Sequence, residues 1–216
     1  MKKLIVALDV YEYNKAMELV DKLSPYADIF KVGPILFLKS GPRIIEDIRK
    51  AGNEVFLDLK FHDIPATVSR AVQSAKDMGV YSLTLHSVGG ELMMKEASAV
   101  PGRPRLWAVT VLTSQATADP TVVRDRALLA KKCGLDGVIS SPHEIELIKK
   151  ACGKDFSVIT PGIRMASDDK NDQNRIATPS VAIKSGADFI VVGRPIIEAA
   201  NPTEAAKRIT EEIELG

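Results

Sequence analysis

Glu54-Val55-Phe56-Leu57-Asp58-Leu59-Lys60, continued by Phe61-His62-Asp63 and Ile64-Pro65-Ala66-Thr67-Val68, reads as a strand, a loop and the start of a helix. The strand signal is the short apolar run at 54–59. The helix signal is the recurrence of Ile64, Val68, Ala71, Val72, Ala75 and Val80 near helical spacing, with Ser69, Arg70, Gln73 and Lys76 between them. The same unit repeats along the chain, with strands predicted at 4–8, 28–32, 54–59, 82–85, 106–112, 137–139, 156–159 and 189–192. Most of these runs are too continuous for a sheet with one wet face, so helices should cover both sides. Helix starts are signalled by Asp119-Pro120, by Ser141-Pro142-His143-Glu144 and by Asn201-Pro202-Thr203-Glu204, and helix stops by Gly52, Gly79, Gly134 and Gly186.

Eight such units fit either an open doubly wound sheet or a closed barrel. No G-x-G-x-x-G follows the first strand and no G-x-x-x-x-G-K-[ST] occurs, so the expectation is an α/β chain folded as a (β/α)8 TIM barrel. Residues 1–216 are expected to form a single domain, with a polar closing loop at about 161–178. That loop can be a lid that excludes water over a substrate, or only a surface loop.

Composition narrows the partners. The 216 residues carry 29 basic and 28 acidic side chains, a net charge of +1, which gives no reason to expect nucleic acid or an acidic membrane. A chain of this length buries about 70% of its extended surface, enough for one core without staples. The apolar run after Met1-Lys2-Lys3 stops at Asp9, too short for an export segment, and no run approaches the roughly 20 residues of a membrane span. Cys133 and Cys152 have no metal or disulfide spacing and read as reduced thiols of a cytoplasmic chain. His62, His86 and His143 form no metal-ligand pattern, and no metal is expected.

In a barrel, chemistry sits where strands run out into the following loops. Asp9 ends the first strand and Lys31 stands near the end of the second. Alternation puts Phe56, Asp58 and Lys60 on one face, with Leu57 and Leu59 opposite. Taken singly, Asp58 and Lys60 could be a structural ion pair, Asp63 a helix cap and Lys31 a solvated strand end. Four charges converging on one mouth point instead to function, because burying them costs several kcal/mol even when they are paired. The last strand ends in Gly193-Arg194, where barrels often bind phosphate, the glycine letting backbone approach and the arginine giving a bidentate contact. These features imply a phosphorylated substrate and leave the reaction open.

The D-x-K-x-x-D-I-P-x-T pattern, from Asp58 to Thr67, resembles the orotidine 5'-monophosphate decarboxylase family. So do Leu8-Asp9, Lys31-Val32-Gly33, Leu112-Thr113-Ser114, Pro161-Gly162-Ile163-Arg164, Asp172-Gln173-Asn174-Arg175 and Val192-Gly193-Arg194-Pro195-Ile196, in that order. The resemblance implies cofactor-free conversion of orotidine 5'-monophosphate to uridine 5'-monophosphate and carbon dioxide. It also implies a homodimer whose active sites are shared across the interface.

It assigns Lys60 as proton donor at pyrimidine C6, with Asp58, Lys31 and the neighbour's Asp63 completing the catalytic set. Asp9, Lys31, Asp63 and Thr67 would hold the ribose, with Ile64 also supplied from across the interface. Thr113 and Ser114 would meet the pyrimidine edge, while Gln173, Gly193 and Arg194 would grip the phosphate and Arg164 would join the substrate contacts. Ala66 stands where asparagine is common in the family, and Gln115 falls in a variable loop.

The nearest alternative is the related magnesium-dependent group, 3-keto-L-gulonate 6-phosphate decarboxylase and hexulose-phosphate synthase. Lys31, the Ile64-Pro65-x-Thr67 extension and Gln173 favour the nucleotide enzyme. A non-catalytic phosphate-binding module would have no need of Asp58 and Lys60 together at the mouth.

Overall fold

The eight apolar runs pair side by side in chain order, all parallel, and the last closes on the first. The computed structural model describes residues 1–114, 119–165 and 177–216. Its strands are β1 (Leu4–Ala7), β2 (Ile29–Val32), β3 (Glu54–Phe61), β4 (Ser82–His86), β5 (Arg105–Val109), β6 (Gly137–Ile139), β7 (Ser157–Thr160) and β8 (Phe189–Val192). The helices α1 (Tyr13–Leu23), α2 (Pro34–Ser40), α3 (Arg43–Lys50), α4 (Pro65–Asp77) and α5 (Gly90–Ser98) separate the first five strands. After them come α6 (Pro120–Lys132), α7 (Ile145–Cys152), α8 (Pro179–Lys184), α9 (Arg194–Ile197) and α10 (Pro202–Glu214). This is the (β/α)8 barrel expected from the alternation.

Burial explains why the strands read as continuous apolar runs. Outward residues such as Val6, Phe30, Leu57 and Val138 join the helices in one large core. Inward residues, among them Ile5, Ile29, Phe56, Trp107, Ile159 and Val191, fill the barrel as a second, smaller core. Trp107 anchors it, its ring 4.8 Å from that of Phe56 in an edge-on contact. Its register partner on β6 is Gly137, where a Cβ would lie 2.3 Å from the Ser157 carbonyl oxygen, so only glycine lets β6 approach β7 there.

The ends of β1, β2, β3, β4 and β7 fall one or two residues from the expected ones, and three local readings need fuller adjustment. The helix after Asp63 starts at Pro65 with Ile64 as its N-cap, and Asp63 only accepts the Ile64 N–H. Ser141 and Glu144 form the capping box, but Pro142–Glu144 is a 3-10 turn and α7 begins at Ile145. β5 ends at Val109 rather than at 112: Thr110 still donates its N–H to the Ile139 carbonyl, and the apolar Val111 and Leu112 carry the hydrophobic signal past the end of the strand.

The end of the barrel where the strands begin carries a repeated clip. Asp28, Asp136 and Asp188 each precede a strand and accept the N–H of a residue at or beside the start of the strand before it: Lys2, Leu106 and Val158, each at 2.7 Å. Each also pairs with a cation, Lys2, Arg103 and Lys149 respectively. Polar residues at this end of a barrel serve stability, which leaves the opposite end for chemistry.

Candidate active site at the mouth of the barrel

β1, β2 and β3 each deliver charge to the opening where the strands end. Lys31, facing inward on β2, lies with Nζ 2.8 Å from Asp9 Oδ1 and 3.6 Å from Asp58 Oδ2. Lys60 Nζ lies 2.8 Å from the same Asp58 Oδ2. The signs therefore alternate from Asp9 through Lys31 and Asp58 to Lys60. The side chains of Lys31 and Asp58 are each 11% exposed, against 42% for Asp9 and 36% for Lys60, so the two inner charges are buried between an accessible carboxylate and an accessible ammonium.

Burial works against ionising Asp58. The neighbouring Lys31 and Lys60 ammonium groups and the hydrogen bonds from Lys60 and Thr84 outweigh that penalty, holding its carboxyl below the ordinary carboxylate range. Because the folded chain binds this proton more weakly than the unfolded one, Asp58 contributes stability above the unfolded pKa, near pH 4. That contribution is lost as pH falls through the depressed folded value. In urea unfolding, the stability difference between the native chain and Asp58→Asn is expected to stay level from about pH 7 to 5. Below about pH 4 it should move against the native chain. A difference already moving between pH 7 and 5 would contradict a depressed carboxyl.

Lys60 reaches Asp58 by a route that simple alternation does not describe. Leu57 pairs with Leu83 and Phe61 with Leu85, so four steps along β3 match two along β4. The surplus is taken up in a bulge where Lys60 has φ 51°, the one non-glycine residue with positive φ among those described. That conformation costs about 1–2 kcal/mol. It is held by Thr84, whose Oγ1 accepts the Lys60 N–H at 3.0 Å and donates to Asp58 Oδ1 at 2.8 Å. Sequence reasoning missed Thr84, and the available signal was a hydroxyl at an inward position of Ser82-Leu83-Thr84-Leu85-His86.

A cavity of about 210 Å³ lies against this array. Asp9, Lys31, Asp58 and Lys60 form one wall, and Gly162, Arg164, Gly193 and Arg194 supply residues from the loops after β7 and β8. Phe56, Val109, Ile139 and Val191 add apolar surface, and Thr113 stands at the rim. Gly33 keeps the charged wall open, since a Cβ there would lie 3.3 Å from both Asp9 Oδ1 and Lys31 Nζ. Arg164 is buried and donates to the Ile163 carbonyl, while its N–H bonds Ala177 and ties the two ends of the 161–178 segment together.

Not every predicted residue gathers here. Asp63, Ile64 and Thr67 are exposed and do not line the cavity of their own chain, nor does exposed Ser114. Gln173 lies outside the described residues, as does most of the predicted closing loop.

Comparisons with known proteins converge on one family. A family model described as Orotidine 5'-phosphate decarboxylase / HUMPS family matches residues 2–209. The orotidine 5'-phosphate decarboxylase of Geotalea uraniireducens (strain Rf4) is 46% identical over 228 residues, covering 98% of this chain and 95% of that protein. That of Legionella pneumophila (strain Paris) is 43% identical over 226 residues, covering 98% and 99%. Among solved structures, the orotidine 5'-phosphate decarboxylase from Lactobacillus acidophilus superposes with a TM-score of 0.84 at 35% identity, covering 99% of each chain. The one from Pyrococcus horikoshii OT3 gives 0.83 at 27% identity, covering 98% of this chain and 99% of that one.

Proposed function

The chain belongs to the orotidine 5'-phosphate decarboxylase / HUMPS family, and from that premise we infer how its charged mouth removes the C6 carboxylate of a pyrimidine nucleotide. The enzyme is a carboxy-lyase that converts orotidine 5'-monophosphate to uridine 5'-monophosphate and carbon dioxide. The observation that carries the site assignment is the Lys60 ammonium 2.8 Å from a buried, ionised Asp58.

When the C6–carboxylate bond breaks, its electron pair stays in the plane of the ring, where the π-system cannot delocalise it. Lys60 stabilises this charge as it develops and then delivers a proton to C6, regaining one from solvent after product leaves. Asp58 keeps Lys60 oriented, and Lys31 and Asp9 fix Asp58 from behind. Asp58 also faces the departing carboxylate, and their repulsion raises the ground state. Preorganised stabilisation takes the larger share, because the charges are already in place before substrate enters. Asp9 and Lys31 hold ribose hydroxyls, Thr113 and Ser114 meet the pyrimidine edge, and Arg164 adds to the substrate contacts. Gly193, Arg194 and Gln173 grip the phosphate, and that binding energy closes the 161–178 loop and expels water.

The proposed site is shared. Asp63, Ile64 and Thr67 are exposed and do not line the cavity of their own chain, as expected of residues serving a neighbour's site. Leu38, Ile64, Val88 and Leu92 are exposed apolar side chains on the units after β2, β3 and β4, which are adjacent in the barrel, and a second copy would cover them. The same reading takes 1–216 as one domain working in the cytoplasm with no metal or cofactor. No helix among the described residues is long and apolar enough to cross a membrane.

The decisive assay follows the loss of orotidine 5'-monophosphate absorbance without added metal, with and without a strong chelator. The expected rate is the same in both. A rate that collapses with chelator and returns with magnesium would overturn the cofactor-free route and favour the magnesium-dependent relatives.

A further inference from the structure

We propose that Thr84 is a positioning residue for the decarboxylation, its one hydroxyl fixing both the Asp58 carboxylate and the backbone that carries Lys60. A hydroxyl has one proton to donate and lone pairs to accept with. Here the proton goes to Asp58 Oδ1 and a lone pair takes the Lys60 N–H. Thr84 itself is fully buried on β4, the strand against which β3 loses register. Lys60 lies within the stretch between Leu57 and Phe61 where the register shifts, and there its N–H is taken by the Thr84 side-chain oxygen.

Two different degrees of freedom are thereby tied to one atom. Lys60 carries its ammonium on a flexible four-carbon stem, so the direction of that stem depends on the left-handed backbone at φ 51°. Asp58 can rotate its carboxylate, yet one oxygen must meet Lys31 and Lys60 together, so the other needs an anchor. Lys31 and Lys60 both contact Oδ2, whereas the Thr84 hydroxyl donates to Oδ1. A group that developing negative charge at C6 must meet within a few tenths of an ångström is therefore aligned by a neutral side chain that lies outside the cavity lining.

The inference rests on the Asp58 and Lys60 assignment above, so Lys60→Ala is assayed beside the Thr84 variants. Thr84→Val keeps the shape and removes both hydrogen bonds, and Thr84→Ser keeps the hydroxyl. Thr84→Val is expected to lower kcat about 10- to 100-fold, the loss associated with hydrogen bonds to a charged group, with KM and uridine 5'-monophosphate affinity within about threefold of native. Thr84→Ser should stay within about threefold of native in kcat. Native-like kcat in Thr84→Val, an equal loss in the serine variant, or a rise in KM with kcat unchanged would each overturn the proposal. Should the valine variant not fold, as judged by circular dichroism and melting, Thr84→Ala measured against Thr84→Ser gives the same comparison. If Lys60→Ala itself stays active, the site assignment fails. If it is inactive while Thr84→Val is native-like, only the role of Thr84 fails.

Discussion

Lys60→Ala is expected to lower kcat by more than about 10⁴-fold while leaving uridine 5'-monophosphate binding measurable. The size follows from two losses at one atom. In the proposed mechanism the Lys60 ammonium, paired with Asp58 at 2.8 Å, is both the cation that meets the developing C6 carbanion and the source of the proton that quenches it, so its removal takes away both. Binding survives because the proposed phosphate contacts come from the loops after β7 and β8, separate strands from the one that carries Lys60. The fold survives as well, since Asp58 keeps Lys31 at 3.6 Å and the Thr84 hydroxyl at 2.8 Å. Single-turnover loss of substrate absorbance measures the first quantity and titration calorimetry with product measures the second. Decarboxylation at a near-native rate would remove Lys60 from the mechanism, and parallel loss of binding would make it a binding residue instead.

How much of this was legible in the sequence depends on which forces leave a local trace. Strands buried on both faces leave an apolar run, so β6 and β8 were read at their observed limits. Hydrogen-bond pairing leaves no such trace. Val111 is buried and lines the cavity, and Leu112 is apolar too, so the hydrophobic signal ran past the end of β5. Asp9, Lys31, Asp58 and Lys60 stood out because charge at an inward strand end demands an explanation.

The bulge did not stand out, because position 60 holds no glycine to advertise a positive φ. Its left-handed backbone is tied by a hydrogen bond to Thr84 on another strand. A threonine within an apolar strand is unremarkable until its partners are known. The roles of Asp63, Ile64 and Thr67 came from family resemblance, and a single chain does not bring them to its own cavity.

That last separation yields the other large effect. Asp58→Asn and Asp63→Asn homodimers are each expected to be nearly inactive, and mixing them under conditions of subunit exchange should restore activity. In a mixed dimer one site combines both defects, while the other takes native Asp58 from one chain and native Asp63 from its partner. Random exchange of equal amounts makes about half of the dimers mixed with one intact site in two, so about a quarter of native activity should return. The control is a mixture of Asp58→Asn with Lys60→Ala. Asp58 and Lys60 come from the same strand and meet at 2.8 Å within one chain, so every site in that mixture keeps a defect and nothing should return. Recovery in the first mixture alone requires that Asp63 act across the interface. If the first mixture stays at the average of its two parents while exchange is verified by mass-tagged subunits, Asp63 serves its own chain or none, and the shared site is wrong.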